Sequence, residues 1–351
     1  MPDGAIKGRG VASNPANRFD RIDVVFDPDA EIDPSELPAP ATVYLRDTSR
    51  TIVATNDSPD VGMEASINPY RGCEHGCVYC FARPTHEYFG LSSGLDFETK
   101  IFVKESAPQL LRAELMSPRW GVKVVSLSGV TDCYQPIERK LQITRRCLQV
   151  LAEFKNPCGV ITKSHLVTRD VDVLSELSAQ NLVVVILSIT SLDVELQRKL
   201  EPRASTPARR LATVEKLAKA GVRVGVMCAP VIPGLTDHEM PAILKSAADA
   251  GAVFAGYTPV RLPFAVKDLF VDWLQAHYPD RAKKVISRIR DMRGGKLNDS
   301  NFGSRMHGKG AFADYLEKMF DLAKRRAGLD EELPPLSRDL FRRPGDQMQL
   351  W

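Results

Sequence analysis

The chain has 351 residues, 44% of them hydrophobic and 26% charged, with a net charge of +3. That length supports one large α/β domain with appendages, or two domains, and the composition is that of an ordinary globular protein. The longest unbroken apolar run, Leu182 to Leu187, is far too short to span a bilayer, and so small a net charge does not by itself imply a nucleic-acid partner.

Taken in chain order, residues 1–60 read as an extended arm, interrupted by Pro2, Pro15, Pro28, Pro34, Pro38, Pro40 and Pro59 and without sustained apolar periodicity. The β-like pieces IDVVF and TVYLR predict that parts of this arm lie along the body. The opening MPDGAIKGRG lacks an apolar signal-peptide core, so a cytoplasmic location is expected. Residues 61–262 change character: short apolar runs alternate with helical segments. The runs are EASINPY (64–70), KVVSLSGV (123–130), GVITKS (159–164), VVVILSIT (183–190), VRVGVMCAPV (222–231) and AVFAGYTPV (252–260). Each is apolar almost throughout, as parallel strands covered on both faces should be. Between them, IERKLQITRRCLQVLAEF (137–154) and PARRLATVEKLAKAG (207–221) read as helices, the second with Pro207 behind a Ser205/Thr206 cap and Gly221 at its close.

Six strand–helix units in series predict a parallel sheet with right-handed crossovers. Six are too few for a closed eight-stranded barrel, so the expected architecture is α/β, a partial (β/α)6 barrel of TIM type. Residues 263–351 form a mostly helical C-terminal extension, with FADYLEKMFDLAKRRAGL (312–329) its clearest helix. Within it, the segment 281–310 carries Arg281, Lys283, Lys284, Arg288, Arg290, Arg293, Lys296, Arg305 and Lys309 against only Asp291 and Asp299. Such a segment suits DNA or RNA phosphates, or is simply a solvated basic face.

The most informative local feature follows the first strand directly. In INPYRGCEHGCVYCFARP, Cys73, Cys77 and Cys80 stand as Cys-x3-Cys-x2-Cys, with Tyr79 before the last cysteine. Three thiolates this close can each hold one corner of a 4Fe–4S cluster and leave the fourth iron open. An open position is what separates a catalytic metal site from a structural one. A structural zinc site usually pairs Cys-x2-Cys with a second Cys or His pair. Here His75 and His86 are near, but Cys133, Cys147, Cys158 and Cys228 are scattered singly. The odd cysteine count and the absence of small-scaffold features speak against a disulfide framework. In sheets of this kind ligands gather at the C-terminal strand ends, which is where the cysteine loop should sit.

This motif resembles the signature of the radical S-adenosylmethionine (radical SAM) superfamily. The resemblance implies a partial barrel, one 4Fe–4S cluster, and S-adenosylmethionine chelated to the open iron by its amino and carboxylate groups. It also implies one-electron cleavage to a 5′-deoxyadenosyl radical, driven by an external reductant of flavodoxin or ferredoxin type. The segments SGVTDCYQPIE, VITKSHLVTRD, ILSITSLDVELQRKLEPRASTPARRL and GVMCAPVIPGLTD look like the DNA repair photolyase-like group related to spore photoproduct lyase. Carried over by position, Lys163, Ser188 and Thr131 would hold the methionine end of the cofactor. Arg203, in LEPRAS, would reach its carboxylate or ribose, or else pair with Glu201 or another acid. Tyr79, in the aromatic place of the motif, joins them as cofactor-binding.

Two departures from that lyase limit the carry-over. Its hydrogen-donating cysteine, three residues before an aspartate, corresponds to Gly129 here, counting back from Asp132. The tyrosine after its last cluster cysteine corresponds to Phe81, which cannot relay a hydrogen atom. Reversal of a thymine lesion by that route is therefore not expected, and the substrate stays open, with nucleic acid the leading class. Asp132, Cys133 and Tyr134 follow the second strand and are the catalytic candidates, expected at the mouth. Asp132 would serve as acid or base, as a substrate ligand, or as a cap and orienter of its neighbours; Cys133 would serve as hydrogen donor or as packing. His86 and His165, near the same rim, read as structural or exposed. The alternative class of function is a non-enzymatic iron–sulfur or zinc protein that binds nucleic acid through 281–310.

Overall fold

The computed structural model describes residues 5–19, 40–330, 332 and 334–345. The strand-like piece IDVVF at 22–26 lies outside the described residues. The arm contributes β1 (Val43–Arg46) and β2 (Val53–Thr55), and the body opens with β3 (Ala65–Ile67), β4 (Tyr70–Arg71), α1 (Leu95–Thr99), β5 (Lys100–Val103) and α2 (Ala107–Met116). Then come β6 (Val125–Leu127), α3 (Glu138–Leu141), α4 (Ile143–Glu153), β7 (Cys158–Thr162), α5 (Val171–Ala179), β8 (Val183–Ser188), α6 (Val194–Leu200) and α7 (Pro207–Lys219). The chain continues through β9 (Val224–Val231), α8 (Met240–Asp249), β10 (Ala255–Pro259), α9 (Val266–His277), α10 (Pro279–Met292) and α11 (Ala311–Arg326).

The main sheet runs β10-β9-β8-β7-β6-β3-β2. From β3 to β10 every neighbouring pair is parallel, and only the edge strand β2 is antiparallel. Six parallel strands in sequential order with helical crossovers make the open, partial TIM-type barrel that the strand–helix series predicts. In β8, Val183, Val185 and Leu187 are fully buried while Val184 and Ile186 are half-covered, so helices screen the second face as well. A three-stranded sheet, β1-β5-β4, lies beside the barrel, with β1 of the arm parallel to β5. The TVYLR piece of the arm thus does lie along the body.

Two helix expectations need correction. Residues 137–154 are not one helix: Gln142 adopts a left-handed φ of +51° and separates α3 from α4. The break is capped, because the Glu138 carboxylate accepts from the backbone N–H groups of Ile143 (3.0 Å) and Thr144 (3.1 Å). That supplies acceptors for two of the donors a helix start leaves unpaired. At α7, Thr206 occupies the N-cap without a capping side-chain bond, and the Ser205 hydroxyl accepts from His165 N–H instead (2.8 Å). Gly221 does close that helix, with φ +74°.

One apolar core fills the space between the main sheet and helices α2, α4, α5, α7, α8 and α11. A second lies under the cysteine loop, where Val78 and Tyr79 pack with Leu196, Leu200, Phe270, Trp273 and Val285. The C-terminal helices α9 and α10 therefore form the floor on which the loop rests. Among the described residues, no helix is long and apolar enough to cross a membrane.

Candidate functional site

The cysteine loop leaves the C-terminal end of β3 through β4, at the mouth of the barrel. Cys73 and Cys77 are buried and Cys80 is half-buried, and none of the seven cysteines forms a disulfide. The loop's shape is fixed by its backbone. Cys73 N–H donates to Phe97 O (2.9 Å), Val78 N–H to Leu200 O (3.1 Å), and Cys80 N–H to Cys77 O (3.2 Å). Arg83, fully buried, clamps it from within: its Nε donates to Cys77 O (3.0 Å), its Nη1 to Gly94 O (2.9 Å), and its Nη2 to Glu98 Oε1 (2.5 Å). Burial pushes all three thiols above their usual range, with Asp132, Cys77 and Cys80 adding to the rise of Cys73 and Glu201 and Cys80 to that of Cys77. Against that act Lys163 and Arg210 on Cys77, Arg83 and Lys163 on Cys80, and backbone N–H groups of Asp132 on Cys73 and of Ala82 and Arg83 on Cys80. Among the described residues, no three His, Cys, Asp or Glu side chains converge closely enough to hold a single metal ion between them.

The N-terminal arm covers the outer side of this loop. Gly10 N–H donates to Glu98 Oε2 (3.0 Å), Val11 enters the core under Cys77, and Ser13 O accepts from Leu95 N–H (3.1 Å). The approach is so close that a Cβ on Gly10 would stand 1.6 Å from Gly76 O. Glu98 thus ties the Arg83 clamp to the arm.

Across the mouth lies a buried network centred on Glu201. Its carboxylate takes bonds from Arg210, Tyr79 Oη and Thr190 Oγ1 (2.6 Å), and Lys163 Nζ stands 3.6 Å away. Burial alone would raise the Glu201 pKa, but Arg210 and Lys163 outweigh it and bring the value to about 2. Lys163 Nζ also donates to Ala229 O (2.9 Å) and sits 5.9 Å from the Tyr79 ring centre. Tyr79, one residue from Cys80, is thereby linked to the strand-end lysine. Ser188, at the end of β8, is buried and receives Arg210 Nη1 on its carbonyl (2.8 Å). Thr131 is buried with its hydroxyl committed to Tyr70 O (2.8 Å).

Arg203 pairs with Glu74 (3.0 Å) and touches Thr42 Oγ1 of the arm (3.2 Å), so an acid holds it, although the acid is not the adjacent Glu201. Asp132 is a junction. Its Oδ1 accepts from Thr162 Oγ1 (2.7 Å) and Tyr134 N–H (2.8 Å), its Oδ2 accepts from Lys163 N–H (2.8 Å), and His75 Nδ1 lies 3.3 Å away. Burial opposes its ionisation, but His75 and these N–H groups hold it below the usual carboxylate value. It orients the β7 end and the cysteine loop together.

The expectation that Cys133 and Tyr134 face the mouth is corrected. Both are fully buried in the main core, and Tyr134 Oη is bonded to Asp170 (2.9 Å). The turn set by Asp132 directs the two side chains inward. At Gly129 an added Cβ would meet Ser66 Cβ and Oγ at 2.9 Å, so this turn has no room for a cysteine. Phe81 is 48% exposed beneath Arg261. His86 and His165 are structural, bonded to Lys100 O (2.9 Å) and Thr213 Oγ1 (2.8 Å).

The basic segment 281–310 divides in two. Arg293 is buried and donates to the carbonyls of Val260, Ser304 and Arg305 (3.0 Å each), Arg288 pairs with Asp237, and Arg305 with Asp60. These three serve the fold. Sequence reading missed the roles of Glu74, Arg83, Glu98, Glu201 and Arg210, because nothing in the local sequence marks a charged residue as buried, even where its partner is only 9 or 15 residues away.

The molecule is thus a partial parallel barrel of TIM type with a three-cysteine loop at its mouth. The family model of the radical SAM superfamily matches residues 67–247. The chain belongs to the radical SAM superfamily. Uncharacterised proteins of Mycobacterium bovis and Mycobacterium tuberculosis are each 36% identical to it over 229 residues, which is 65% of this chain. The match spans 66% of the length of those relatives, just under two thirds. An uncharacterised protein of Methanocaldococcus jannaschii is 28% identical over 178 residues, covering 51% of this chain and 64% of its own. Among solved structures, spore photoproduct lyase complexed with dinucleoside spore photoproduct superposes with a TM-score of 0.58 at 16% identity, over 81% of this chain and 79% of the lyase. That likeness is one of fold.

Proposed function

We propose that Cys73, Cys77 and Cys80 hold one 4Fe–4S cluster with S-adenosylmethionine beside it, and that the chain starts radical chemistry on a substrate at the barrel mouth, with nucleic acid the leading class. The observation that carries the reading is the cysteine loop itself: three thiols of one fixed loop share the mouth with a strand-end lysine and a tyrosine joined through Glu201. The donor set fits such a cluster. Three soft thiolates, with backbone N–H groups and the cations Arg83 and Lys163 offsetting their charge, match what iron–sulfur clusters require.

When bound, the cluster supplies an electron and the cofactor a carbon radical able to take hydrogen from an unactivated carbon. The chain's own residues bind, orient and exclude. Lys163 offers a cation to the cofactor carboxylate, with Ser188 next to it at the strand end. Tyr79 and Glu201 set the position of that lysine, and Arg203 holds Glu74 and the arm in place. Thr131 contributes position through its bond to Tyr70. The arm over Gly76 keeps solvent from the loop. The reductant is external, of flavodoxin or ferredoxin type. The solved neighbour complexed with dinucleoside spore photoproduct supports a nucleic-acid substrate, while Gly129 and Phe81 speak for a hydrogen-transfer route of a different kind.

Anaerobic reconstitution tests this. A brown protein with about four irons per chain that forms 5′-deoxyadenosine from S-adenosylmethionine and dithionite is expected, and Cys77→Ala should lose both colour and cleavage. A colourless zinc protein, or a loaded protein without cofactor cleavage, would overturn the proposal.

A further inference from the structure

Strand β10 ends at Pro259, and the chain then crosses the mouth of the barrel before α9 begins. There a cavity of about 510 Å³ opens, walled by Arg261, Phe264 and Lys267 on one side and by Lys296, Asn298 and Arg305 on the other. Four of its ten wall residues are cationic and none is acidic. Only Arg305 is neutralised, by Asp60 at 2.6 Å. Among the described residues, Arg261, Lys267 and Lys296 make no ion pair. Arg261 Nε is buried without a hydrogen-bond partner, and its Nη1 reaches only Met306 Sδ, at 3.6 Å. Burial and the neighbouring Arg305 hold that guanidinium below its ordinary pKa, with the Asp60 carboxylate acting the other way.

A buried guanidinium donor with no acceptor is costly, because its desolvation goes uncompensated, and Arg261 is a wall residue of the cavity. Phe264 is the aromatic wall residue of the cavity, and a second ring, Phe81, stands beside Arg261. The Arg261 guanidinium lies 5.4 Å from the ring centre of Phe81, the residue after Cys80, so the cavity adjoins the cysteine loop. Phe264, 56% exposed, is held at φ +50°, an uncommon conformation for an aromatic residue. Arg18 of the arm stacks 3.5 Å over its ring.

We propose that this cavity is the phosphate-binding half of the substrate site. It takes a phosphate monoester or diester on Arg261, Lys267 and Lys296, while Phe81 and Phe264 stack an adjoining planar group beside the cysteine loop. The inference rests on the proposed function only for the word substrate; the anion site stands on its own residues. It also moves the phosphate contacts off the solvent face of α10, where Lys283, Lys284 and Arg290 are exposed on open surface.

The test is binding to the reconstituted full chain, with inorganic phosphate, a nucleoside 5′-monophosphate and a short single-stranded oligonucleotide as probes. Each should bind at low salt and lose about tenfold or more in affinity in Lys267→Ala/Lys296→Ala. For the oligonucleotide, the slope of log affinity against log salt should become shallower by about 1.4, two contacts at about 0.7 each. An oligonucleotide that binds at least tenfold more tightly than the monophosphate assigns the phosphate to a nucleic acid. Equal affinities assign it to a small phosphorylated substrate, and both results support the cavity. Lys267→Met/Lys296→Met, which keeps the aliphatic stems, repeats the measurement should the alanine pair fail to fold. The proposal is overturned if no probe binds at low salt. It is equally overturned if binding survives both double substitutions and is lost in Lys283→Ala/Lys284→Ala. Cofactor cleavage by the unaltered protein, measured in parallel, reports on the proposed function separately: phosphate binding without cleavage would keep the cavity and remove the enzyme.

Discussion

Replacing Glu201 by glutamine removes the one anion that Arg210, Lys163, Tyr79 and Thr190 share. Two independent routes give the cost. The carboxyl is held at about 2 against a reference of 4.5, and at about 1.36 kcal/mol per unit this amounts to about 3 kcal/mol. Breaking a buried pair while leaving its cation behind costs about 3–5 kcal/mol, so the two agree. The sign follows from the depressed folded value: the stabilisation is complete above the unfolded pKa and is lost as pH falls towards the folded one. About 2 kcal/mol of it should be gone by pH 3. Equilibrium urea unfolding of the reduced protein should therefore show Glu201→Gln weaker by at least about 3 kcal/mol at pH 7, with the gap narrowing by about 2 kcal/mol at pH 3. Other depressed carboxylates, such as Asp132, contribute equally to both proteins and cancel in the difference. A loss under about 1 kcal/mol at pH 7, or a gap that stays constant with pH, refutes the assignment of Glu201 as the charged hub of the mouth.

Arg293→Ala should destabilise by about 2–4 kcal/mol, since three carbonyls lose a charged donor, while Arg290→Ala should stay within about 0.5 kcal/mol; thermal unfolding that ranks them the other way contradicts the division of the basic segment. Gly10→Ala cannot keep the arm in place against Gly76 O and should cost about 1–3 kcal/mol. Its readout is hydrogen exchange of residues 9–18, and unchanged protection means the arm does not seal the loop. Cys133→Ala should cost about 1 kcal/mol through lost packing and leave the yield of radical product per cofactor cleaved unchanged; a collapse of that yield would return Cys133 to the chemistry.

What could be read from the chain before its structure was known, and what could not, divides along the range of the forces involved. The six strands are legible because a strand covered on both faces must be apolar along its whole length, as Val183 to Leu187 is. The cysteine loop is legible because its chemistry depends on spacing within eight residues, Cys73 to Cys80. The break at Gln142 is not, because it depends on Glu138 turning its carboxylate to the next helix start while Tyr70, 68 residues away, donates to the same oxygen and Arg169 to the other. Glu98 and Glu201 look like surface acids in sequence. Each becomes the centre of a buried network only when Arg83 or Arg210 is folded against it. The basic segment was misleading for the same reason, since Asp60 and Asp237, which neutralise Arg305 and Arg288, lie 245 and 51 residues away. Charge counted along the chain therefore overstates the electrostatic surface, and the positive charge left over after pairing is what locates a ligand. Around this mouth that remainder is Arg261, Lys267 and Lys296, and only Lys296 falls within the segment that the charge count had picked out.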